Sequence, residues 1–124
     1  MSGRVVHFEI PYGDAERART FYAEAFGWTL VDVPGQDYAW ALTGPTGESG
    51  PSEPGFVNGG LLRRESPDAG PIVVIEVDDV ETSCARVEEL GGQVVLSRQQ
   101  VGPIGWTAYV KDVEGNILGL FQRA

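Results

Sequence analysis

The chain has 124 residues, 18 of them acidic and 9 basic, for a formal net charge of −9. An excess of that sign repels a phosphate backbone, and Arg63-Arg64 is the sole adjacent basic pair, so no nucleic-acid partner is expected. One cysteine, Cys84, rules out an intramolecular disulfide and a CxxC motif. No apolar run approaches the ~20 residues of a membrane span and no signal-peptide core is seen, so a cytoplasmic protein without a membrane partner is expected.

In chain order, Val5–Ile10 alternates as a strand, with Val6, Phe8 and Ile10 on one face and His7 and Glu9 on the other. Pro11-Tyr12-Gly13 turns the chain, and Asp14 caps a helix that runs to Phe26 and stops at Gly27. Ala18, Phe21, Tyr22, Ala25 and Phe26 form its apolar stripe. Strand-like runs follow at Trp28–Val33, Tyr38–Thr43 and Asn58–Leu62, with Gly44–Gly55 between the last two as a surface loop.

The pattern then repeats. Ile72–Val77 is a strand, Asp79 caps a helix carrying Val80, Cys84, Val87 and Leu90, and Gly91-Gly92 ends it. Gln93–Ser97, Trp106–Lys111 and Asn116–Gln122 are the later strands, the last entered through the Gly115-Asn116 turn. Asp14 to Gly27 has the same length as Asp79 to Gly92, so the chain reads as two βαβββ modules, 4–64 and 70–124, joined by a linker at 65–71 within one domain, 1–124. Modules of about 60 residues are marginal alone, which favours one shared fold.

If one strand face meets the helix, the other is left for a ligand or an interface. His7 and Glu9 fall on that second face in the first module, as do Ile72, Val74 and Glu76 in the second. Tyr38, Trp40, Trp106 and Tyr109 lie on the inner strands. Trp40 and Trp106 are expected on the second face as aromatic walls, with core packing as the alternative, since one bulge inverts the parity. Asn58, Phe56 and Phe121 are placed along the same space. His7, the only histidine, has three readings: a neutral hydrogen-bonded residue, a ligand contact, or a metal ligand. Glu9, flanked by Phe8 and Ile10, needs a partner such as Arg64, Arg98 or His7, unless it faces water or a ligand. Cys84 reads as a small buried hydrophobe.

Three stretches together resemble the vicinal oxygen chelate superfamily, which includes glyoxalase I, extradiol dioxygenases and bleomycin-resistance proteins. They are His7 through Asp14 to Phe26-Gly27, then Val77-Asp78-Asp79-Val80 with Leu90-Gly91-Gly92, then Asp112-Val113-Glu114-Gly115-Asn116 with Ile117-Leu118-Gly119-Leu120. Asn58-Gly59-Gly60-Leu61 and Gly119-Leu120-Phe121-Gln122 resemble the small bacterial glyoxalase-like proteins in particular. The resemblance implies an α+β fold of two tandem βαβββ modules, forming a curled mixed sheet around a shared cavity. It also implies a homodimer.

Metal-dependent members place ligands on the first and last strand of each module. Those positions here are His7, Gly60, Ile72 and Gly119, so three of the four donors are missing. No metal and no other cofactor is therefore expected, with a noncanonical set of His7, Glu9 and Glu76 as the alternative. The function expected is metal-independent binding of a small organic molecule, with His7, Glu9, Trp40, Asn58, Glu76, Trp106, Tyr109 and Phe121 as ligand contacts. The alternative is a lyase or isomerase built around His7, using acid–base groups or that noncanonical metal.

Overall fold

The computed structural model describes residues 3–124. The elements in order are β1 (Val5–Tyr12), α1 (Ala15–Phe26), β2 (Thr29–Asp32), β3 (Tyr38–Leu42), β4 (Thr46–Gly47), β5 (Gly50–Pro51) and β6 (Gly59–Arg63). They continue with β7 (Ile72–Glu76), α2 (Val80–Glu89), β8 (Gln93–Val101), β9 (Gly105–Lys111) and β10 (Ile117–Arg123). Among the described residues, no helix is long and apolar enough to cross a membrane.

The main sheet is mixed and its hydrogen-bonded order is β2-β3-β6-β1-β7-β10-β9-β8. That order corrects one expectation. β2 and β8 end the ladder and do not pair with each other, so the sheet is open and is not curled around a shared cavity. Closure would need a ladder between those two edges. The internal repeat specifies the elements of each module and says nothing about pairing between its outermost strands. β8 also reaches Val101 with two register shifts, longer than the sequence pattern suggests. The loop at 44–55 contains the small β4–β5 hairpin.

The chain divides into two compact units. One holds His7–Pro71. In it, β1 runs parallel to β6, with Glu9 opposite Gly60, and β6 runs antiparallel to β3, with Trp40 opposite the same glycine. Asp14 caps α1 by accepting from the Arg17 backbone N–H, and Gly27 closes it in the left-handed region at φ 74°. Ala39, Ala41 and Leu61 form the buried side of this unit. Phe8 lies so close over Gly59 that a Cβ there would come within 2.4 Å of the ring. Trp28 packs on Phe8, and Tyr22 of α1 stacks on Trp28 at 4.9 Å.

That stack is the main anchor of α1, which has no buried residue of its own. The apolar stripe expected to be covered is left partly open, with Phe21 57% and Phe26 62% exposed. Two of the buried sheet residues of this unit, Ala39 and Ala41, are small, and the ring of Phe8 already fills the space above Gly59.

The other unit holds residues 3–6 with Ile72–Ala124 among those described. β10 runs parallel to β7, with Val74 opposite Gly119, and antiparallel to β9, with Tyr109 opposite the same glycine. The registers of the two units therefore match: Glu9 and Trp40 flank Gly60 as Val74 and Tyr109 flank Gly119. Here the helix is well seated. Val80 is fully buried and packs with Ala108, Val110 and Leu120, with Cys84 and Val87 of α2 against them. The Val80 N–H donates to Gln122 Oε1, and Asp79 accepts from the Thr82 N–H, so both strand and cap hold the start of α2.

Asp112 organises the β9–β10 turn. Its Oδ1 accepts from the backbone N–H groups of Glu114 and Asn116, and its Oδ2 accepts from the Asn116 side chain. Hydrogen bonds from the Asn116 side chain, then from its backbone, hold the Asp112 carboxyl below its ordinary value of 3.8. A depressed folded pKa contributes stability that is present above 3.8 and lost as pH falls through the folded value. Asp112→Ala is expected to lower the urea midpoint at neutral pH, with the gap to the parent protein narrowing as the pH falls below 3.8. A gap unchanged across that range refutes this account of the turn.

Candidate functional site

Side-chain alternation on β1 brings His7 and Glu9 to one face, and the register of β3 and β6 brings Trp40 and Gly60 to the same face. Tyr38, two residues before Trp40, joins them. His7 Nε2 lies 2.8 Å from Tyr38 Oη, and that hydroxyl donates to Glu9 Oε2 at 3.0 Å. A phenol has one proton. With that proton given to Glu9, the hydroxyl accepts from His7, so Nε2 carries the hydrogen of a neutral imidazole. Trp40 meets His7 edge to face at 5.9 Å and Tyr38 edge to face at 5.4 Å, and is 36% exposed. Glu9 is 8% exposed.

Gly60 makes this arrangement possible. A Cβ at that position would fall 1.9 Å from Tyr38 Oη and 2.1 Å from Cζ. The phenol occupies the volume that any side chain of residue 60 would need. Burial lowers the pKa of His7 from 6.5, and the Glu9 charge opposes that shift in part. Neutral imidazole is the form this site favours.

Of the partners expected for Glu9, His7 reaches it through Tyr38. Arg64 instead donates to the carbonyls of Ala69 and Pro11, and Arg98 lies beside Glu81 and over the Trp106 ring. Asn58 serves the architecture of the loop. Its Oδ1 accepts from the Thr43 N–H and its Nδ2 donates to Thr46 Oγ1, tying the β4–β5 hairpin to the end of β3. A shallow depression beside the first turns of α1, lined by Asp14, Glu16, Arg17, Thr20 and Phe21, includes none of the expected site residues.

In the other unit, Glu76, Phe121 and Tyr109 share a face with Val74 and Gly119 by register. Glu76 is ion-paired with Arg123. Trp106 lies on the opposite face, packed against the core under α2. It stands three positions from Tyr109 in a regular strand, so the two cannot point the same way. The structural equivalent of Trp40 is Tyr109, since each faces the glycine of its unit. Tyr38 is the residue whose role sequence reasoning missed. The only signal for it was a tyrosine two residues before Trp40 on the strand facing a glycine.

The metal implied by the resemblance does not fit these residues. Gly60 and Gly119 supply no donor, and each lies under a side chain: Tyr38 over Gly60, and Val74 with Tyr109 over Gly119. Ile72 supplies none either. Among the described residues, no three His, Cys, Asp or Glu side chains come together to hold a metal ion.

The chain has relatives among known proteins. The model of the bleomycin resistance protein-like N-terminal family matches residues 4–44. A probable lactoylglutathione lyase of Vibrio parahaemolyticus is 30% identical over 130 residues, covering 98% of this chain and 92% of its own. CFP32 of Mycobacterium bovis is 30% identical over 118 residues, which cover 88% of this chain, and the chain spans 41% of its length. Among solved structures, a hypothetical protein of Bacillus halodurans superposes with a TM-score of 0.69 at 17% identity, covering 100% of this chain and 96% of its own.

The lone histidine gives one set of imidazole NMR signals, whose titration midpoint is expected below 6.5; a midpoint at or above that value contradicts the burial seen here. Gly60→Ala forces the phenol out of its place and is expected to destabilise by about 1–3 kcal/mol in urea unfolding. A neutral effect would mean that Tyr38 is not seated over Gly60.

Proposed function

The chain belongs to the glyoxalase/bleomycin-resistance/dioxygenase superfamily, and on that premise we propose that it binds a small organic molecule without a metal. The observation that carries this reading is the Tyr38 hydroxyl seated over Gly60. It fills the place where a carboxylate would have to stand, and it links His7 and Glu9 through one shared hydrogen-bond partner. What remains is a partly exposed indole beside an imidazole, a phenol and a carboxylate. That combination suits a flat organic ligand with one or two polar groups. Trp40 supplies stacking area, and Glu9 and His7 supply an acceptor and a titratable donor.

The name of the Vibrio relative suggests a lyase acting on a glutathione conjugate. The donor set argues against a metal-dependent version of that activity here. A second reading, an acid–base lyase or isomerase, draws support from the continuous hydrogen-bonded chain from His7 through Tyr38 to Glu9.

Native mass spectrometry of freshly purified protein, followed by thermal shifts with divalent cations and a panel of aromatic small molecules, tests the binding reading. The expected result is a metal-free homodimer, no stabilisation by zinc or nickel, and stabilisation by some of the organic molecules. Trp40→Ala is then expected to weaken that binding about tenfold or more. One tightly held metal ion per chain overturns the proposal.

A further inference from the structure

We infer that His7, Tyr38 and Glu9 form a proton relay with which the chain acts as a metal-independent general base on a flat organic substrate carrying an acidified C–H bond. The inference rests on the acid–base reading above and adds the direction in which the proton travels. Three observations support it.

The first is continuity. His7 Nε2 to Tyr38 Oη is 2.8 Å and Tyr38 Oη to Glu9 Oε2 is 3.0 Å, both within ordinary hydrogen-bond range, with the phenol proton already directed at the carboxylate. The second is access. Nδ1 of His7 makes no hydrogen bond among the described residues, and no buried side-chain nitrogen or oxygen there lacks a partner. Nδ1 is therefore not sealed in the protein, and it is the open end of the chain. The third is placement. Trp40 stands 5.9 Å from the imidazole, edge to face and partly exposed, so a flat molecule resting on the indole comes beside His7.

The step balances. Nδ1 takes the proton from the substrate C–H bond, whose electron pair stays on the substrate. The Nε2 proton passes to Tyr38 Oη, and the Tyr38 proton passes to Glu9. Imidazole and phenol both end neutral, and the negative charge of Glu9 has been exchanged for that of the substrate carbanion. No imidazolium has to persist in a place where burial disfavours it. Running the relay backward returns the proton to a different atom of the carbanion, which is an isomerisation with no co-reactant. The charge that acts on His7 is that of Glu9, on its own strand. Tyr38 faces it from β3, and β6 presents Gly60 and Leu62, which do not titrate.

A suitable probe is 5-nitrobenzisoxazole. Loss of its single acidic C–H proton breaks the ring N–O bond and releases a coloured phenolate. The parent protein is expected to accelerate this reaction, with a rising pH limb below 6.5. His7→Gln is expected to lose about 100-fold, and Tyr38→Phe and Glu9→Gln about 10-fold or more each. Glu9→Gln also removes the charge that raises the His7 pKa, so its limb moves to lower pH, a change that a merely structural role would not produce. If His7→Gln matches the parent, or the parent shows no acceleration, the acid–base reading itself fails. If only His7→Gln loses activity, that reading stands and the relay is overturned. Nitrogen-15 NMR of the parent protein keeps the test decisive where a variant does not fold. The relay requires the proton on Nε2 above neutral pH, and an Nδ1–H tautomer there refutes it.

Discussion

The contact on which the site depends is the one between the Tyr38 phenol and the empty side of Gly60. Glycine at that register position leaves a space one side chain wide between β1 and β3, and the phenol enters it. Without that entry, Glu9 would lose the hydroxyl that donates to it, and burying a carboxylate that has lost a donor is costly. His7 would lose the acceptor that sets its tautomer. The orientation of the imidazole, the burial of the carboxylate and the absence of a donor at position 60 are three results of one packing choice.

The two units solve the same architectural problem differently. Both pair their first and last strands in parallel, with a glycine on the last strand facing the inner strand's aromatic residue. In the C-terminal unit, valines and leucine fill the space between sheet and α2, and Val80 is wholly enclosed. In the N-terminal unit, three aromatic rings in sequence, Phe8, Trp28 and Tyr22, connect sheet to helix, and much of α1 stays in contact with solvent. Polar chemistry is concentrated in the unit whose apolar packing is the thinner. A buried Glu9 and a desolvated His7 are each unfavourable for folding unless paired, which explains why their hydrogen-bonded connection is complete.

Most of the elements could be read from periodicity and punctuation. Asp14 and Gly27, and Asp79 with Gly91, mark helix ends through backbone needs that belong to those residue types, so both helices were legible to within a residue or two. The face shared by His7 and Glu9 followed from alternation in one regular strand, whereas Trp40 joins them through the register of β3 and β6, which no spacing in the sequence states. Alternation also placed Trp106 away from Tyr109, but pairing it with Trp40 by residue type alone obscured this. Openness of the sheet was not legible, because a repeat describes local order while closure depends on a ladder between distant edges. Nor was the role of Tyr38: a hydroxyl at the end of a long side chain reaches a place set by three strands at once, and no spacing in the sequence encodes that.

Gly60 and Tyr38 also constrain how the sequence can change. A carboxylate introduced at position 60 collides with the phenol, and a smaller residue introduced at position 38 strips Glu9 and His7 of their shared partner. Each replacement alone is harmful, and only the pair opens room, so the two positions are coupled strongly and non-additively. A lineage holding this pair cannot drift toward a metal-binding site one tolerated substitution at a time. The packing of a single phenol against a single glycine acts as a ratchet on the history of the site.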